Sequence, residues 1–204
     1  MSEEKFQIKV LVASLAIVVA AVLASGDGFA ANVEGNTTIT ARVGSTISIS
    51  SLGNVNISVT PSGGDARLSS ARDIVTVSSN NSTGYNLNLE MFDDETSLLN
   101  GANAIAQGAG NLTTPSALTS NTWGYRVANA GGFGPGAAVE TNVATSAYSW
   151  AGVPANGSPD QVKSTGSEAD NDTTNIWYAI MADSNRPSGT YTGRVTYTAT
   201  TNSP

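Results

Sequence analysis

Apolar side chains recur at every second position in several stretches of this chain. Tyr85, Leu87, Leu89 and Met91 alternate with Asn86, Asn88 and Glu90, and Val55, Ile57 and Val59 alternate with Asn56, Ser58 and Thr60. Towards the C-terminus Tyr191, Val195, Tyr197 and Ala199 alternate with Thr192, Arg194, Thr196, Thr198 and Thr200. Successive side chains of a strand point to opposite faces, so a period of two predicts strands with one face on a core and the other in water. Less regular candidates lie at residues 36–43, 45–51, 72–79, 122–128 and 175–183, with weaker ones at 147–151 and 161–164. Turn clusters separate them: Pro61-Ser62-Gly63-Gly64, Asn80-Asn81-Ser82-Thr83-Gly84 and Asn185-Arg186-Pro187-Ser188-Gly189. Glycine and asparagine there accept positive φ, and proline presets φ for a turn. About eight to ten short strands predict an all-β fold, an antiparallel β-sandwich formed as one domain by residues 31–204.

Two departures from this rhythm carry information. In 175–183, Trp177 and Tyr178 are consecutive and must face opposite ways, with Ile176, Ile180 and Met181 around them. Both faces are therefore apolar, which predicts a central strand covered on both sides or an interface. Residues 93–120 and 129–144 show no comparable alternation. The first has room for a short helical turn within 95–107; the second centres on Gly131-Gly132-Phe133-Gly134-Pro135-Gly136. Irregular segments of that length are usually functional or mobile, which makes them the expected place for a partner site.

The N-terminus has a different character. Lys5 and Lys9 precede VLVASLAIVVAAVLA at Val10 to Ala24, and Gly28 and Ala30 supply small residues for cleavage between Ala30 and Ala31. Residues 1–30 thus read as a hydrophobic helix serving as a signal peptide. The alternative is an uncleaved anchor, although the run falls short of the roughly 20 residues a membrane helix needs. Either way the body is expected to be secreted or at the cell surface, meeting a membrane only through this segment.

Composition narrows the chemistry. The chain has no Cys and no His, which removes thiolate and imidazole chemistry and any zinc site built from them. Net charge is −7, and the cationic side chains after Ala31 are scattered singly. Nucleic acid, whose phosphates call for a basic stripe, is not an expected partner. Glu168, Asp170 and Asp172 are weak candidates for oxygen ligands to a metal. Their spacing is not that of a calcium loop, and solvated loop charges are the plainer reading. Glu140, near Tyr148 and Trp150, is the one acid set among aromatics in a repeated pattern, whereas glycoside hydrolysis calls for two carboxylates flanking a cleft. No catalytic residue, metal or cofactor is expected, and the chain reads as a non-enzyme. Trp123, Tyr125, Trp150 and Trp177 are the candidate contacts for a glycan or partner; the competing reading places them in the core, since Val127 continues the stripe of Trp123 and Tyr125.

Three segments carry a resemblance: Val75 to Met91 with its Asn-rich turn, Asn121-Thr122-Trp123-Gly124-Tyr125-Arg126-Val127, and Pro187-Ser188-Gly189-Thr190-Tyr191-Thr192-Gly193-Arg194-Val195-Thr196-Tyr197-Thr198. Together they resemble secreted bacterial surface β-sandwiches of the WxL-type wall-associated group, and the last is similar to the closing strand of fimbrial and spore-coat-like subunits. The resemblance implies a bacterial cell-surface structural or interaction protein, an adhesin or an assembling pilus- or fibre-like subunit. Its implied partners are a cell-wall polymer, a host surface or identical subunits. Thr38-Ile39-Thr40-Ala41-Arg42-Val43 also alternates, as a segment does that completes a neighbour's sheet by strand addition. The alternative function is a module that binds carbohydrate or wall polymer through its Trp and Tyr side chains.

Overall fold

The computed structural model describes residues 38–203. The hydrophobic segment and the Ala30–Ala31 cleavage position lie outside the described residues. The described part is all-β, with no helix. Nine strands follow one another within the compact unit Arg42–Pro204: β1 (Ile47–Ser50), β2 (Arg67–Ser79), β3 (Tyr85–Met91), β4 (Leu98–Asn100), β5 (Asn103–Gln107), β6 (Thr122–Val127), β7 (Asp160–Ser164), β8 (Ala169–Ala182) and β9 (Val195–Thr201). They form a six-stranded sheet in the order β1-β2-β8-β6-β5-β4 and a three-stranded sheet in the order β7-β3-β9. Every pairing is antiparallel except β5 with β6, so the larger sheet is mixed rather than purely antiparallel.

The alternation reads directly into burial. Along β3, Tyr85, Leu87, Leu89 and Met91 are buried while Asn86, Asn88 and Glu90 are half-buried on the other face. These four meet Val75, Val77, Trp123, Tyr125, Val127, Ile176 and Tyr178 from the larger sheet in one core. Burying each large apolar side chain contributes roughly 1.5–3 kcal/mol, which makes this inter-sheet layer the main source of stability.

A second, smaller core lies on the opposite face of the larger sheet, where Leu68, Trp177 and Ala179 are buried against Leu118, Ala138 and Trp150. The irregular stretches supply that cover. The segment around 138–143 also bonds to the edge of β2, with Leu68 N–H donating to Val143 O at 2.8 Å and Ser70 N–H to Glu140 O at 2.9 Å. Ala151 exchanges backbone hydrogen bonds with Tyr125, at 2.7 and 2.9 Å, on the stretch of β6 beyond β5. β8, with β2 on one side and β6 on the other, is accordingly a central strand covered on both faces.

Several expectations need correction. Residues 95–107 hold the β4–β5 hairpin instead of a helical turn; Gly101 takes φ +60° in its turn. β2 and β8 are 13 and 14 residues long, well beyond the alternating parts of their sequences. The expected strand at Thr38–Val43 is absent, residues 36 and 37 lying outside the described set. Residues 55–59 keep their alternation, with Val55 and Ile57 packed on the main core, yet they belong to no ladder. The reason is competition: the β2 positions they would pair with, Leu68 and Ser70, already bond to Val143 and Glu140.

Candidate functional site

The four aromatic candidates lie inside. Trp123 and Trp177 are 3% and 6% exposed, and Tyr125 and Trp150 are fully buried, so none presents a ring face to a sugar. Trp123 stacks on Tyr178 at 6.3 Å between ring centroids and donates its indole N–H to Thr96 O at 2.9 Å. The expectation of a glycan platform on these rings is corrected by their burial: an aromatic with both faces packed has none left for stacking.

The acidic candidates are also differently placed. Asp170 and Asp172 stand on β8 rather than in a loop. Among the described residues no group of three or more Asp, Glu, His or Cys side chains is arranged to hold a metal. Asp172 is committed to protein partners, accepting from Lys163 Nζ at 2.5 Å and from the Tyr85 hydroxyl at 2.8 Å. Burial pushes its carboxyl up, but the bonds from Lys163 and Tyr85 outweigh that and hold it below the ordinary carboxylate range. Glu140, 7% exposed, accepts from Ser146 Oγ at 2.6 Å and Ala147 N–H at 2.7 Å; it anchors the irregular segment instead of facing a cleft.

Asp172–Tyr85 is one of three tyrosine–aspartate links inside the molecule. Tyr125 donates to Asp160 at 2.7 Å, Tyr197 donates to Asp73 at 3.0 Å, and Tyr178 and Tyr197 share a hydrogen bond at 2.7 Å. Burial, and then the neighbouring carboxylates or hydroxyls, push the Tyr85, Tyr125 and Tyr197 phenols well above their usual value; for Tyr178 burial does so against the hydrogen bond it shares with Tyr197. A phenol whose folded pKa is raised stabilises the fold fully below its unfolded value, about 10, and that contribution is lost as pH rises beyond it. Denaturant midpoints are therefore expected to be level to about pH 9 and to fall steeply by about pH 11. A midpoint unchanged across that range counts against buried tyrosines. Asp172 works at the other end. Its depressed pKa gives stability present above the ordinary carboxylate value and lost as pH falls through its folded value, a small effect because the pair is partly exposed.

What remains is the edge of the three-stranded sheet. Asn202 N–H donates to Gly84 O at 3.0 Å and Phe92 N–H to Arg194 O at 3.0 Å, one just past each end of the β3–β9 ladder. In an antiparallel pair the residues whose backbone groups face the partner alternate with residues whose groups face away. The even-numbered residues of β9 therefore face β3, and Val195, Tyr197, Ala199 and Thr201 direct N–H and C=O outward. Among the described residues no strand pairs with that side of β9. Sheet edges are ordinarily blunted by lysine, proline or a bulge. β9 reads Val-Thr-Tyr-Thr-Ala-Thr-Thr with regular pairing to β3, and it has none of these.

The edge is held rigidly from behind. Asp73, 4% exposed, accepts from Tyr197, from Leu52 N–H at 2.9 Å and from Ile74 N–H at 2.8 Å, which joins β9 to β2 and to the chain leaving β1. At one end of β9, Asn81 donates to Gly84 O at 2.7 Å and to Asn202 O at 2.9 Å, while Asn202 donates to Thr83 O at 2.7 Å and Thr165 O at 2.8 Å. Gly84 is needed there: its φ is +83°, and a Cβ would collide with Thr165 O. β1, an edge strand of the larger sheet, lies close to β9 and leaves Ile49 41% exposed, and Leu52, just past its end, is 61% exposed.

Comparison with protein-family models, curated proteins and solved structures returns no match for this chain. The alternation of β9 was legible in the sequence; its place at an edge was not, because edge position depends on the order of strands in the sheet. The signal available beforehand was negative, namely seven strand-forming residues without the lysine or proline that guards an exposed edge.

Proposed function

We propose that this chain is an exported structural subunit of a bacterial cell surface that associates through its sheet edge, as an adhesin or fibre-like subunit does. The observation that carries the reading is the outer side of β9, with four residues offering backbone donors and acceptors outward beside exposed Ile49 and Leu52. Strand addition uses such an edge: main-chain hydrogen bonds supply affinity, and alternate side chains entering the core supply selectivity. The resemblance of residues 187–198 to the closing strand of surface subunits, and the signal-like segment at Val10 to Ala30, point the same way. With the four large rings buried, the carbohydrate reading has no stacking platform behind it, and association between proteins is the better-supported use of this body. The test is to purify the chain from the cells that make it and follow its mass by sedimentation velocity as concentration rises, with electron microscopy of the same samples. Oligomers or filaments that grow with concentration are expected. A strict monomer throughout overturns the reading.

A further inference from the structure

We infer that the strand completing the edge of β9 is Thr38-Ile39-Thr40-Ala41-Arg42-Val43 of a second copy of this chain, which gives the subunits a head-to-tail polarity. This rests on the proposed function above and adds the occupant. The segment has the required pattern: Ile39, Ala41 and Val43 fall on one side and Thr38, Thr40 and Arg42 on the other. It contains β-branched residues and, at six residues, is one shorter than the seven of β9, yet among the described residues it is in no strand, and Val43 is 85% exposed. A strand-forming segment and a sheet edge that are both unpaired among the described residues are a complementary set, and one face of the inserted strand would cover exposed Ile49.

The path of the chain favours a second copy over the same one. Asn80 fixes the entry to β1, its Oδ1 accepting from Thr46 N–H at 2.6 Å and its Nδ2 donating to Gly44 O at 3.1 Å. β1 then runs antiparallel to β2 away from that rim. Folding the segment onto its own β9 requires a reversal between Val43 and Ile47, where the chain makes no turn and is pinned by Asn80. The intramolecular competitor is residues 53–59. It packs Val55 and Ile57 on the core, but among the described residues its backbone makes no hydrogen bond, so side chains alone hold it. A strand that also supplies ladder bonds is favoured over it at this edge. The association is heterologous, because the segment and the edge are different surfaces, and such contacts propagate into filaments unless the rotation closes a ring.

Three variants and one exchange measurement decide the matter, all on the full chain as purified. Ala41→Asp places a charge on the inward side of the segment and is expected to weaken association at least about tenfold. Thr40→Asp, on the outward side, is expected to change it by less than about twofold, since faces alternate strictly. Ala199→Pro removes one outward N–H of β9 without touching the β3 ladder and is expected to abolish association. Because Ala41 lies outside the strands, its variant remains informative if Ala199→Pro fails to fold. Hydrogen exchange supplies the independent readout: the amides of Tyr197 and Ala199 are expected to gain protection as concentration rises. Protection independent of concentration assigns the edge to the chain's own backbone and overturns the inference, as does absence of protection in the assembled state. Assembly that persists unchanged in Ala41→Asp also overturns it while leaving the assembling subunit standing; a strict monomer in every sample removes both.

Discussion

Replacing Trp150 with alanine is expected to cost about 3–5 kcal/mol of folding stability, the range for deleting a large buried aromatic, and to loosen the outer layer first. Trp150 is fully buried among Leu68, Leu118, Ala138, Trp177 and Ala179, beneath a cover with no regular secondary structure of its own. Its indole N–H donates to Ser146 Oγ at 3.0 Å, and that hydroxyl donates to Glu140. Truncation thus opens a cavity and frees part of the chain of bonds that restrains a buried carboxylate. Arg126 restrains the same cover from below: it is 2% exposed, donates to Gly134 O at 2.6 Å and Pro135 O at 2.8 Å, and lies 4.7 Å from the Tyr148 ring centroid. Local opening follows where buried contacts are fewest. Native-state hydrogen exchange should therefore show the Ser70 and Val143 amides, bonded between cover and sheet, exchanging faster than those of Leu87 and Leu89 in β3. Trp150→Phe keeps most of the volume and loses the indole bond, for a cost nearer about 1 kcal/mol. A Trp150→Ala variant within about 1 kcal/mol of the parent in urea unfolding overturns this account of the cover.

The cover is also where sequence reasoning stopped short. β3 announced itself because one of its faces is core and the other polar, and that asymmetry is local to seven residues. β2 and β8 were each visible by half. In their register Arg67–Arg72 lies opposite Trp177–Ala182, and Ile74–Val77 lies opposite Asp172–Asn175, so the apolar half of one strand supports the less patterned half of the other. Ala169–Asn175 is strand because of what it pairs with, and no window of sequence contains that information. The loop-like acids Asp170 and Asp172 became strand residues for the same reason. Trp177 and Tyr178 did announce a strand covered on both faces, since consecutive large aromatics admit little else. The identity of the cover stayed hidden: residues 129–151 contribute separated anchors, Ala138 and Trp150 to the outer core and Phe133 to the inter-sheet core, at no repeating interval. The segments expected to meet a partner also close over the larger sheet. The edge of β9, where we propose that subunits associate, looked like an ordinary strand.

Asp73→Ala is expected to cost about 2–4 kcal/mol, because each buried donor left without its acceptor costs about 1–3 kcal/mol, and to disturb β9 more than any other strand. Among the described residues the carboxylate has no cationic partner; it is held by Leu52 N–H, Ile74 N–H and the Tyr197 hydroxyl. Removing it strands the Leu52 amide where the chain leaves β1, and leaves Tyr197 dependent on Tyr178 alone. Asp73→Asn keeps an acceptor of the same shape and should cost less than half as much. Tyr197→Phe removes one donor and should cost about 1 kcal/mol. If the three groups act as one unit, the double variant with Asp73→Ala should fall short of the sum of the single effects by at least about 0.5 kcal/mol. Strict additivity, or an Asp73→Ala cost within about 0.5 kcal/mol of zero, means the network does not hold the strand. The consequence for function is specific. Tyr197 and Ala199 are two of the four residues directing backbone groups outward, so an edge no longer fixed from behind presents them with less order, and association should weaken in Asp73→Ala under conditions where the chain remains folded. In Trp150→Ala, whose defect lies on the opposite face of the larger sheet, association should persist for as long as the fold does. Measuring both variants by sedimentation at matched folded fraction separates damage to the edge from loss of stability alone.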